Sequence, residues 1–170
     1  MNVRVGTGVD VHAFSDEPGR PLVLAGVTVP GATGLAGHSD ADVVVHAVAD
    51  ALLGAAALGD LGTLFGVDDP RLVGASSVRL LKDVIARLES DGWQVGNLDV
   101  TVVAQQPRLA EHRAAMRQRL ADAARVALSA VSVKITGTDA LGALGRGEGI
   151  GAHAACTIVA RSHQREHGDP

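Results

Sequence analysis

The chain has 170 residues, 46% of them hydrophobic and 20% charged, which is the size of one domain able to bury a full core without disulfides or a structural metal. A net charge of -4 and a pI near 5.9 exclude the clustered Lys and Arg that binding to nucleic acid or to an acidic membrane surface would need.

The first predicted element is a strand over Val3 to Ala13. Val3, Val5, Val9 and Val11 share one face of it, and Asp10 and His12 share the other. A second strand pattern covers Pro21 to Val29. The first helix opens at Ser39, with Asp42 three residues on as a capping-box-like pair, and runs to about Leu58-Gly59 with Val45, Val48, Ala49 and Leu52 as its apolar stripe. Its apolar run from Val43 to Leu58 contains His46 and Asp50 and is too short to span a bilayer. With no charged-then-apolar leader ahead of Val3, a soluble cytoplasmic protein is expected.

A second helix starts near Ser76 or Ser77, carries Val78, Leu81, Val84, Ile85 and Leu88 at helical spacing, and stops at Asp91-Gly92. A strand over Leu98 to Ala104, a helix from about Leu109 to Leu128, and strands over Val131 to Thr136 and His153 to Ala160 complete the order. This order predicts an α/β sandwich: one mixed sheet with helices packed on a single face. A further copy of the chain is the simplest cover for the other face, and a mean hydropathy of +0.20 agrees with a homo-oligomer. The domain is expected over residues 1–161, with a polar, disordered tail over 162–170. His163-Gln164-Arg165-Glu166-His167 matches a zinc-protease pattern but lies in that tail with no helical frame. Cys156, the single cysteine, sits in an apolar run and reads as a buried side chain in a reducing compartment.

On the first helix, Asp42, His46 and Asp50 recur every four residues and so share a face. Joined to Asp10 and His12, His46 would make a set of two histidines and a carboxylate with an open fourth position, the ligand count of catalytic zinc. Spacing alone leaves open a simpler arrangement, in which Asp10 and His12 pair at a strand end and His46 is a satisfied buried histidine. His38 and Ser39, in the loop ahead of the helix, stand beside free amides suited to phosphate, or Ser39 simply caps the helix. Gly59-Asp60-Leu61-Gly62 and Phe65-Gly66-Val67-Asp68-Asp69-Pro70 read as turns. After the strand ending at Thr136, flexible backbone up to Gly149 could approach a phosphate and Arg146 could bind one, although this is no Walker loop. Surface or strand roles suffice for His112 and His153.

Taken together, Gly8-Val9-Asp10-Val11-His12, Gly37-His38-Ser39-Asp40, His46, Asp50-Ala51-Leu52-Leu53-Gly54-Ala55, Gly59-Asp60-Leu61-Gly62, Gly96-Asn97-Leu98-Asp99-Val100, Ala104-Gln105-Gln106-Pro107-Arg108 and Gly145-Arg146-Gly147-Glu148-Gly149-Ile150 resemble the 2-C-methyl-D-erythritol 2,4-cyclodiphosphate synthases of the non-mevalonate pathway. The resemblance spans almost the whole chain. It implies a homotrimer with active sites between subunits, Zn2+ held by Asp10, His12 and His46, and Mg2+ or Mn2+ bridging the substrate diphosphate near Asp139. It also implies a cytidylyl diphosphate substrate whose phosphates meet His38 and the Thr136, Gly137, Thr138 and Asp139 loop. Asp60 and Gly62 would hold the erythritol, and Ala104 and Arg108 would lie along the cytidine. Ser39, Phe65, Asp69, Ala143 and Arg146 complete the implied contacts. His38 and Gly137 occupy the positions implied to act in catalysis. Family members usually read Thr-Thr-Thr-Glu where this chain has Thr136-Gly137-Thr138-Asp139, so a hydroxyl is missing at Gly137 and the carboxylate of Asp139 is shorter. Ala143 replaces a typical Phe near the trimer axis, and Val67 a common acidic residue. The same ligands would also suit a zinc phosphohydrolase, and the departure at Gly137 would suit a weakly active trimer that binds isoprenoid phosphates through Arg146.

Overall fold

A computed structural model of the protein describes residues 2–66 and 74–161. Val67, Asp69 and the tail over 162–170 lie outside them. The strands are β1 (Val3–Ala13), β2 (Pro21–Leu24), β3 (Val27–Thr33), β4 (Trp93–Val103), β5 (Val131–Thr136) and β6 (Gly149–Ala160). The helices are α1 (Val43–Ala56), α2 (Leu61–Phe65), α3 (Ser77–Ser90), α4 (Arg113–Ala124) and α5 (Gly142–Gly145).

Four strands form a mixed sheet in the order β1-β6-β4-β5, with β4 and β5 parallel and the other pairs antiparallel. A separate hairpin joins β2 to β3. The single strand expected over Pro21 to Val29 is thus two strands. The chain turns at Ala25 and Gly26, both at positive φ, and an alanine in that conformation gives little warning in a sequence.

Period-two alternation decides what β1 shows to each side. Arg4, Gly6, Gly8, Asp10 and His12 face α1, while Val3, Val5, Val9 and Val11 are 48–69% exposed on the opposite face. Only glycine permits the approach to α1: a methyl added at Gly8 would stand 2.7 Å from the Ala51 nitrogen, and closer still to the Ala47 carbonyl oxygen. The inward residues of the other strands, among them Leu98, Val100, Val102, Ile150, Ala152, Ala154 and Ile158, are buried under the helices. α1 packs on β1 and β6, α3 on α1 and β4, and α4 on β5.

α1 is buried almost all round rather than along one stripe. Its cap is Asp42, not Ser39: the Asp42 carboxylate accepts from the Val44 and Val45 amides at 3.2 and 3.1 Å. The same side chain accepts from Ala25 and Gly26 of the hairpin turn, at 2.8 and 2.6 Å. It is 0% exposed, so it caps the helix rather than sharing an exposed face with His46 and Asp50, and burial pushes its carboxyl up to about 6. Left-handed Ala57, rather than Gly59, closes the helix. The third expected helix is shorter than its pattern, because 3-10 turns at Ala110–His112 and Leu128–Ala130 flank α4. Cys156 is 2% exposed, and burial raises its thiol to about 11. Among the described residues, no helix is long and apolar enough to cross a membrane.

Candidate active site

β1 delivers Asp10 and His12 from adjacent inward positions, and the first turn of α1 delivers His46 across from them. Asp10 Oδ2 lies 2.9 Å from His12 Nε2 and 3.0 Å from His46 Nδ1, and the two ring nitrogens are 3.4 Å apart. His12 Nδ1–H donates to the Ala36 carbonyl at 2.6 Å. In the neutral ring its Nε2 therefore aims a lone pair at a carboxylate oxygen. Three acceptors meeting at one point require a cation between them, either a proton or a metal ion.

Burial raises the Asp10 carboxyl, but hydrogen bonds from His12 and His46, with their charge, outweigh it and hold this group well below the usual carboxylate range. The hydrogen bond to Asp10 raises His12 against the opposing effect of burial. A tetrahedral ion with ligands at about 2.0–2.2 Å separates them by roughly 3.3 Å, so the cluster fits such an ion with little spreading.

The triad opens into a cavity of about 290 Å³ that is also lined by Gly37, His38, Ser39, Asp50, Leu61, Gly62 and Phe65. Asp60 does not line the cavity; it caps α2 through Thr63, and those hydrogen bonds lower its carboxyl. The segment expected to be a plain turn is therefore a short helix presenting Gly62 and Phe65 to the cavity. Asp50, half-buried in the wall, accepts from the Leu61 amide at 2.9 Å, and burial raises its carboxyl. Arg20 donates to the carbonyls of Gly37 and Ser39 at 2.8 and 2.6 Å and so ties down the loop that carries His38. No pattern near Arg20 marks it in the sequence.

The remaining predicted residues, Ala104, Arg108, Thr136, Gly137, Thr138, Asp139, Ala143 and Arg146, do not line this cavity. Val11 pairs with Gly151 on the outward face of the sheet, and a methyl added at Gly151 would meet Leu144 of α5. Leu144 thus stands against the outward face at Gly151, whereas Asp10 and His12 face inward. Within one chain, the residues expected along the cytidine and those of the Thr136–Asp139 loop therefore do not complete the cavity beside the triad.

Fold and site together define an α/β protein with a candidate metal triad at the mouth of an open cavity. The YgbB family model matches residues 3–159, and the chain belongs to that family. It is 53% identical over 156 residues to 2-C-methyl-D-erythritol 2,4-cyclodiphosphate synthase of Desulforamulus reducens, covering 92% of this chain and 98% of the relative. It is 52% identical to the synthase of Moorella thermoacetica, covering 94% and 96%. Among solved structures, the bifunctional IspDF of Campylobacter jejuni superposes with a TM-score of 0.89 at 37% identity; the match covers 94% of this chain but only 42% of that longer one. The CDP complex of Plasmodium falciparum IspF superposes at 0.82 with 26% identity, covering 95% and 98%.

Proposed function

We propose that this chain closes 4-diphosphocytidyl-2-C-methyl-D-erythritol 2-phosphate into 2-C-methyl-D-erythritol 2,4-cyclodiphosphate with release of CMP, a lyase step of isoprenoid precursor synthesis. The observation that carries the reading is the convergence of Asp10, His12 and His46 on an open cavity in a chain of this family. An oxygen of the 2-phosphate bonds to the β-phosphorus while the bond from that phosphorus to the bridging oxygen breaks, and its electron pair leaves on CMP. The nucleophile is already anionic, so no strong general base is needed; the protein must fold the substrate and offset its charge.

Two imidazoles and a carboxylate suit Zn2+, which when bound polarises the β-phosphate, and Mg2+ or Mn2+ is the assigned partner of the diphosphate, with Asp139 as its ligand. His38 and Ser39 hold phosphate at the head of α1. Asp60, Gly62 and Phe65, with Asp69, hold the erythritol end. Ala104 and Arg108 take the cytidine, and Thr136, Gly137, Thr138 and Asp139 the phosphates, from a neighbouring copy, because in a single chain they do not line the cavity of the triad. The exposed valines of β1 support that arrangement: four apolar side chains in a row call for a cover. We assign a homotrimer with sites between subunits, built from a single domain over 1–161 and working in the cytoplasm, with Ala143 and Arg146 toward the trimer axis.

Incubation with the cytidylyl substrate and Mg2+, followed by phosphorus NMR, should yield CMP and the cyclic diphosphate. Linear hydrolysis products alone would replace this reading with that of a phosphohydrolase.

A further inference from the structure

We propose that Ser77 and Asp40 are positioning residues of the metal centre, forming a buried chain Asp40–Ser77–His46 that dictates which nitrogen of His46 is free to bind the ion; the inference rests on the metal reading above. Ser77 is 0% exposed at the first position of α3. Its Oγ lies 2.9 Å from His46 Nε2 and donates to Asp40 Oδ1, and its amide also donates to the Asp40 carboxylate, at 3.1 Å to each oxygen.

The proton count sets the direction of this chain. A hydroxyl has one proton, and the carboxylate, an acceptor only, takes it. Toward the imidazole the Ser77 oxygen is therefore an acceptor, so His46 Nε2 must carry the ring proton and Nδ1 must be bare. Nδ1 is the nitrogen that faces Asp10 and His12. Without the chain the ring would also populate the tautomer that points N–H at the ion. The other hydroxyl nearby, Ser39 Oγ, is 3.4 Å from Nε2 and already accepts from the Ala41 amide at 3.1 Å, so it is a poor substitute.

Asp40 has a second duty. Ser76, the cap residue of α3, makes no side-chain cap bond, and Asp40 serves that helix end from outside through the Ser77 amide. A merely structural role for Asp40 would end there. The two duties separate cleanly, because Ser77→Ala deletes the hydroxyl and leaves the amide.

The test measures Zn2+ affinity by chelator competition, together with the urea midpoint of the metal-free protein, for wild type, Ser77→Ala, Ser77→Thr and Asp40→Asn. Ser77→Ala should weaken Zn2+ about 10- to 100-fold, the usual effect of removing an outer partner of a ligating histidine, with the metal-free midpoint unchanged. Ser77→Thr restores the hydroxyl and should recover most of the loss. Asp40→Asn can donate to Ser77 Oγ, turning the hydroxyl proton toward Nε2, and should weaken Zn2+ even if the threonine methyl proves too large for the site. Ser77→Ala or Asp40→Asn binding Zn2+ within twofold of wild type overturns the proposal, as does an affinity loss matched by an equal loss of metal-free stability. A wild-type protein that takes up no Zn2+ overturns the metal reading itself, a different outcome from variants that bind as the wild type does.

Discussion

Replacing Gly8 with alanine tests whether the close seating of β1 on α1 is what assembles the metal triad. The added methyl would sit 2.7 Å from the Ala51 nitrogen and closer to the Ala47 carbonyl oxygen, against 3.4 Å for ordinary contact. Backbone in a buried helix has no rotamer with which to yield, so α1 must retreat by on the order of 1 Å, a strain of the kind that costs about 1–3 kcal/mol. Alanine recovers about 0.5–1 kcal/mol of the entropy that a strand glycine forfeits, so a net loss of up to about 2.5 kcal/mol remains. Ala47 adjoins His46, and the 3.0 Å separation from Asp10 Oδ2 to His46 Nδ1 would widen to roughly 4 Å, beyond the roughly 3.3 Å that a tetrahedral ion spans. Urea denaturation and Zn2+ competition measure the two effects. Gly54→Ala is the control: nothing lies within 4 Å of the methyl it adds on the exposed side of α1, and it should stabilise by about 0.5–1 kcal/mol. A Gly8→Ala protein as stable as wild type, with Zn2+ affinity within twofold, would refute the reasoning.

His46→Ala should abolish stoichiometric Zn2+ binding; a variant that still copurifies with a full complement shows the ligand set to be wrong. Asp42→Ala removes a helix cap and strands the buried amides of Ala25 and Gly26, so urea unfolding should show a loss of about 3–5 kcal/mol, and a loss below 1 kcal/mol would contradict the four-bond account. At Gly137 an added Cβ would lie 3.4 Å from Gln105 Oε1, so Gly137→Thr should fold normally. Its hydroxyl, if it bonds the transition state, is worth about 0.5–1.5 kcal/mol or roughly 3- to 10-fold in kcat, and an unchanged kcat denies that position a part in the chemistry. In the metal-free protein, His12 has a raised value and contributes stability that is full below its unfolded value of about 6.5 and lost as pH climbs through the folded one. Asp10 has a lowered value and contributes above about 3.9, losing its effect as pH falls through the folded value. The pair therefore stabilises most between about pH 4 and 6.5, and a metal-free midpoint that climbs steadily through pH 8 would refute the coupling.

The placement of each candidate ligand was legible because each sits on a local element with its own periodicity, Asp10 and His12 two apart on a strand and His46 on a helix rich in Ala and Leu; their convergence was not, since spacing left it open and only the family resemblance implied it. β1 and β5 fall at their expected bounds for the same reason, whereas β4 and β6 begin earlier than their β-branched cores, at Trp93 and Gly149. The helix start was misplaced because Ser39 and Asp42 both look like caps; their rank depends on the hairpin amides at Ala25 and Gly26, which only the folded chain brings to Asp42. Ser77 carried the signal of a helix start but none of a link to His46. Its meaning comes from Asp40 and His46, 37 and 31 residues away, and no local period encodes such a meeting. The alternation in β1 follows the reading, which left its sense open: the valines face outward, and the glycines are what let the polar face reach the helix.

Among the described residues, the strand bearing two of the three ligands is an edge of the sheet, and its one partner there is β6. Asp10 pairs with Ala152 and His12 with Ile150, so the first strand of the chain is held by the last. Closing so long a loop is a slow event in folding. The strand that carries Asp10 and His12 is therefore pinned only when β6 docks, and the candidate metal site is completed with it.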